Sequence, residues 1–126
     1  KLSKIRYATD GGYYVQAETI AASVTDSDIP SKKEKTEFVY RKARLFHKTN
    51  KLAEAKENYL RTISEAGEEP WYFAPNACLQ LGYIFVDENN SAEAKKYFSK
   101  ALTYKKHEYK NSIDSKAKSA LARLKR

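Results

Sequence analysis

A chain with a single cysteine, Cys78, cannot close an internal disulfide, and that residue alone fixes no redox compartment. Methionine is absent, and the opening Lys1-Leu2-Ser3-Lys4-Ile5 reads as the remainder of a helix already under way, so the chain is expected to be the C-terminal part of a longer protein. There is no cysteine pair, no His-Glu-x-x-His run and no acidic calcium loop. The two histidines, His47 and His107, show no paired spacing with Cys78, which leaves a thiol nucleophile without a base and makes Cys78 a core residue. Asp10-Gly11-Gly12 is followed by Tyr13-Tyr14 and not by Lys-Ser or Lys-Thr, so it is a turn entering a helix and not a phosphate loop. Polar residues interrupt the span from Thr9 to Ser27, which excludes a membrane crossing there. Glu93 and Glu108 fall in polar helical or turn settings and read as solvated charge. No catalytic residue, metal site or cofactor is expected.

With only three prolines and four glycines, the interruptions are few and informative. Pro30 and the polar residues from Asp26 to Ser31 break the first part of the chain. Before them, helices are predicted around Leu2 to Ala8 and from Tyr13 to about Val24. After them a longer helix runs from about Lys33 to Thr49, its apolar stripe being Val39, Ala43 and Phe46 with Leu45 alongside. Leu52, Ala55, Tyr59 and Ile63 define a returning helix that stops near Gly67. Pro70 and Pro75 bracket Trp71-Tyr72-Phe73-Ala74, and the next helix starts between Tyr72 and Pro75, since proline is tolerated in a first turn. Ser91 is the candidate N-cap of a helix reaching about Tyr104, and Ser112 that of a last helix carrying Ile113, Ala117, Ala120, Leu121 and Leu124. The helical pairs are expected at about 1–25, 33–66 and 72–105, with a final helix at 112–125, all in one domain over 1–126.

Two of these pairs share a pattern. Ala43, Phe46, Ala55 and Tyr59 are each followed 39 residues later by Gly82, Phe85, Ala94 and Phe98. Small residues placed where two helix axes approach, with large rings beside them, are the requirement of close helix packing. A fixed spacing of such contacts marks a repeated hairpin.

On these residues the chain resembles the tetratricopeptide repeat family, whose units are about 34 residues long. Leu81, Gly82 and Phe85 match the first-helix positions, Ala94, Phe98 and Ala101 the second-helix positions, and Cys78 stands where that family most often has tryptophan. The other copy matches through Ala43, Phe46, Leu52, Ala55 and Tyr59, with Lys42 in place of the usual leucine and Thr62 in place of the final alanine. Gly12-Tyr13-Tyr14 and Ala17 resemble part of a third copy. The resemblance implies an all-α fold, a right-handed helical-hairpin solenoid with a C-terminal capping helix. It also implies a non-enzymatic scaffold or adaptor that binds a peptide or helical segment of another protein.

The formal charge of +8 draws attention to acidic partners. Recognition is expected on the first helices of the two clear pairs, at Tyr40, Arg44 and His47 in one and Asn76, Gln80 and Tyr83 in the other. Arginine would pair with a carboxylate, the amides with peptide groups, and the tyrosines would offer contact area. Trp71, Tyr72 and Phe73 form an aromatic cluster that fills the joint between pairs, or docks a partner if exposed. Two alternatives stand beside this reading. Lysines of the later chain, up to Lys125 and Arg126, with Tyr97, Tyr104 and Tyr109 among them, would suit nucleic acid, and an exposed N-terminal helical face would suit self-association. The compartment is not fixed by the residues, the cytoplasm being the default.

Overall fold

The computed structural model describes residues 2–125; Lys1, where a helix already under way is expected, and Arg126, in the basic tail, lie outside the described residues. Among the described residues seven α-helices carry the fold: α1 (Leu2–Asp10), α2 (Tyr14–Ser23), α3 (Lys32–Lys48), α4 (Leu52–Ala66), α5 (Phe73–Asp87), α6 (Ser91–Ala101) and α7 (Lys110–Leu124), with a short 3-10 turn at Asp26–Asp28. Among the described residues there is no strand. The architecture is all-α, with adjacent helices packed as hairpins. The chain divides into two compact units, Lys1–Thr62 and Ile63–Arg126, so that α4 begins in one and ends in the other.

In the first unit α1 packs on α2, and both pack on α3. Ile5, Ala17, Val39, Ala43, Leu45, Ala55 and Tyr59 are buried there. Ser31 starts α3: its hydroxyl accepts from the Glu34 amide at 3.1 Å and donates to the Glu34 carboxylate at 3.0 Å, which satisfies an otherwise orphaned helix donor. In the second unit α5 pairs with α6, and α7 packs on both. Its core holds Phe73, Cys78, Leu79, Leu81, Ile84, Phe98, Ile113 and Ala117.

The turns that follow α3 and α5 are built alike. Asn50 after α3 and Asn89 after α5 both adopt the left-handed conformation, at φ 61° and 59°. The next residue then donates back to a phenylalanine carbonyl, Lys51 to Phe46 and Asn90 to Phe85, each at 2.8 Å. Asparagine tolerates this backbone better than any residue but glycine, and the bonds it allows satisfy the last carbonyls of the helix. At the end of α4 the same task falls to Gly67, at φ 54°.

The expected close approach is found at Gly82. A methyl group added there would lie 2.3 Å from the Phe98 ring, closer than carbon atoms can sit, and Ala94 is fully buried on the facing helix. Glycine therefore lets α5 and α6 meet over that ring.

Three helix ends differ from expectation. The N-cap of α6 is Asn90, whose side chain accepts from the Glu93 amide at 3.2 Å, and Ser91 is already helical. The last helix starts at Lys110 after a left-handed Tyr109, ahead of Ser112, with Lys110 paired to Asp114 one turn on. Helix α6 stops at Ala101, because Leu102 and Thr103 bond back to Ser99 and Lys100 in tighter turns, leaving Tyr104 outside it.

Candidate functional site

Tyr40, Arg44 and His47 recur at helical spacing along α3, yet they do not share one exposed face. Tyr40 is 2% exposed, so it is a core side chain and leaves the set of contact residues. The reason is that α3 is covered on several sides, by α1 and α2 and by the start of α4, and a single apolar stripe does not describe it. Arg41, the neighbour of Tyr40, is held by Glu37 one turn back, with Nε and a terminal nitrogen each 3.1 Å from the same carboxylate oxygen, and its guanidinium lies 5.1 Å from the Tyr40 ring centre.

Arg44 and His47 converge on the phenol of Tyr59, a ring fully buried on α4. His47 Nδ1 is 2.9 Å from the Tyr59 oxygen, and an Arg44 terminal nitrogen is 3.5 Å from it. The His47 ring also meets the Tyr59 ring edge-on at 5.8 Å. Arginine can only donate, so the phenol oxygen accepts there, and it shares a second hydrogen bond with His47 Nδ1. Burial holds the Tyr59 hydroxyl well above its ordinary pKa against the lowering influence of Arg44, so it stays a neutral donor and acceptor. Burial pulls Arg44 toward its neutral form, but Tyr59 and Tyr40 more than offset this, and its pKa is raised.

In the second unit Asn76, Gln80 and Tyr83 follow one another at helical spacing on α5, and all three are half-buried. Tyr83 leans edge-on against Phe98 at 5.4 Å, so it serves the core with one edge of its ring. The aromatic cluster divides by role. Phe73 is core, Tyr72 lies between Phe73 at 4.7 Å and Tyr109 at 5.1 Å, and Trp71 is half-buried 6.3 Å from Phe73.

Trp71 also lines an open groove of about 680 Å³ between the connection that leads into α5 and the one that follows α6. Tyr104, Lys105, Lys106 and His107 come from the later connection and Lys100 from the end of α6. Beneath Tyr104 lies the buried Cys78 thiol, close enough for the two groups to influence each other's proton affinity. Burial pushes that thiol up to about 12, although Lys100 and the Tyr104 hydroxyl act the other way. Cys78 is thus a neutral core thiol whose neighbour is a phenol and not a base. In the sequence, Trp71 and the lysines of the later chain stand out separately. What joins them is the return of the chain after α6, which no local pattern carries.

Tyr97 is stacked on Phe85 at 5.6 Å with planes 14° apart and is largely buried, so it does not offer a free face to a base. Among the described residues no group of three histidine, cysteine or acidic side chains could hold a metal, and no helix is long and apolar enough to cross a membrane. Neither the curated proteins nor the solved structures give a significant match to the chain. Residues 75–108 match the family model described as tetratricopeptide repeat, so a repeat of that type covers part of the chain, over most of α5, α6 and the connection after them.

Proposed function

We propose that this chain is a non-enzymatic protein-binding scaffold that takes a peptide or helical segment of another protein on the first helices of its hairpins. The observation that carries this reading is the tetratricopeptide-type repeat over residues 75–108, with Asn76, Gln80 and Tyr83 half-exposed in a row on its first helix. Side-chain amides beside an aromatic edge can bond peptide groups while covering apolar area, and stacked hairpins offer such rows without any reacting group. In the first unit the half-buried Arg44 and His47 belong to the contact set, Arg44 standing 39 residues before Tyr83.

The test is selection of peptides from a displayed library on the intact chain, followed by titration against an Asn76→Ala, Gln80→Ala double variant. Loss of about tenfold or more in affinity with unchanged helical circular dichroism is expected. Peptides that bind the variant as tightly as the parent would remove α5 from the interface.

Self-association is a second reading, favoured by one observation. Tyr7, Tyr13 and Val15 of the first unit are 68%, 62% and 75% exposed, a concentration of apolar side chains open to water. Sedimentation across concentration tests it: a mass that does not rise would exclude it.

A further inference from the structure

We propose that the groove beside Trp71 is a second docking site, which takes an extended acidic peptide segment of another protein with an apolar side chain laid between Trp71 and Tyr104. This site shares none of its residues with the rows on α3 and α5, so either can fail without the other. Its volume of about 680 Å³ falls in the range of small ligand sites, roughly 300–1,000 Å³.

Three features define the occupant. Lys100, Lys105 and Lys106 are exposed on one lip, and among the described residues none of them has a carboxylate within ion-pair distance. Lys105 instead reaches back to the Leu102 carbonyl at 3.4 Å. An acidic side chain placed beside them would meet cations that no ion pair neutralises. Second, Trp71 and Tyr104 give apolar walls, and both rings are already half-buried, so little order is lost when a side chain enters.

The third feature favours a peptide backbone over a phosphate backbone. His107 Nδ1 is 2.8 Å from the Glu108 carbonyl and must donate to it, which makes Nε2 of the neutral ring an acceptor. That Nε2 is sealed from solvent with no hydrogen-bond partner, so a turn of the ring toward the groove would let a backbone N–H satisfy it, while a phosphate, having only acceptor oxygens, would not. Glu68 and Glu69 also line the groove and would repel a run of phosphates. A peptide carries its charge at single positions and can keep it on the lysine side.

Trp71 is the only tryptophan, so its emission reports this groove directly. The probes are short capped peptides in which two aspartates precede a leucine and a phenylalanine, the same peptides with lysines for aspartates, and a short oligouridylate. The acidic peptide should change Trp71 emission saturably. Lys105→Glu with Lys106→Glu should weaken it about tenfold, while Lys125→Glu, a charge change outside the groove, should have little effect. His107→Phe should weaken it several-fold by removing the acceptor. Circular dichroism confirms that each variant keeps its helices. No saturable change with the acidic peptide, equal binding by the double lysine variant, or tighter binding of the oligouridylate at the same salt would each overturn the proposal.

Discussion

Tyr59 of the first unit and Phe98 of the second occupy equivalent places in their hairpins, 39 residues apart, and differ by one oxygen atom. In the first unit that oxygen is buried and needs partners, and α3 supplies Arg44 and His47. At the corresponding places on α5, 39 residues on, stand Tyr83 and Val86, and Phe98 is met by the edge of the Tyr83 ring. The small residue follows the same rule. Where Phe98 presses on the first helix only Gly82 fits, while the equivalent Ala43 keeps its methyl group. A repeat thus conserves geometry and lets chemistry vary in linked sets. Polar residues that look like a recognition face can belong to the support of the core.

The comparison breaks hardest at Phe98. Phe98→Ala should cost about 3–5 kcal/mol, through lost burial and the cavity left between α5 and α6, measured by urea unfolding. A loss under about 1 kcal/mol would mean that the ring does not hold the pair together. Next comes Gly82→Ala, expected to cost about 1–3 kcal/mol by overpacking, set against a gain of up to about 1 kcal/mol from helix preference. Ala94→Leu should cost a similar 1–3 kcal/mol or so. Combining Gly82→Ala with Phe98→Leu tests the cause, since a smaller side chain should recover part of the first loss.

Tyr59→Phe sharpens the contrast between the units. It should cost about 1–2 kcal/mol, because Arg44 and His47 lose their shared partner. The same change made together with Arg44→Tyr and His47→Val, which copies the second hairpin into the first, should cost less than the sum of its parts. Additive losses would show that the three residues do not act as a set. Charge reversal at Arg44 would disturb this buried phenol as well as any partner, so binding and stability must be measured together.

The smallest effect is with pH. The Cys78 thiol is raised by burial from its ordinary 9.0 to about 12. A group neutral in the folded chain and more acidic when unfolded contributes stability that is whole below pH 9.0 and drains as pH rises toward 12. Tyr104 and Tyr59, also raised by burial, add to the loss above the ordinary phenol value of 10.0. Denaturation midpoints should therefore fall across that interval, and Cys78→Ala should flatten the first part of the fall. A flat profile in the parent would contradict the burial of the thiol.

The hairpins were legible in sequence because close helix approach restricts residue size, and size is visible in a string of letters. Gly82, Ala94 and Phe98 could be placed on that ground alone. Tyr40 could not: α3 is covered from several sides, and the covering by α1 and α2 is not announced by any pattern inside α3 itself. The caps failed for a related reason. Asn90 and Ser91 are both good N-caps, and the choice fell to the left-handed Asn89, which ends α5 one residue before Asn90. The start of α7 rests partly on the Tyr109 ring meeting Tyr72 edge-on, a contact across 37 residues that no local signal announces. The groove was invisible for the same cause, its walls being drawn from two connections that meet only after α5 and α6 have paired.

A lone sulfur sealed beneath Tyr104 makes the second unit its own clock. A thiol-specific reagent in solution must wait for that lid to lift, so the slow labelling rate counts excursions of the folded chain, and a peptide seated against Trp71 should lengthen the wait.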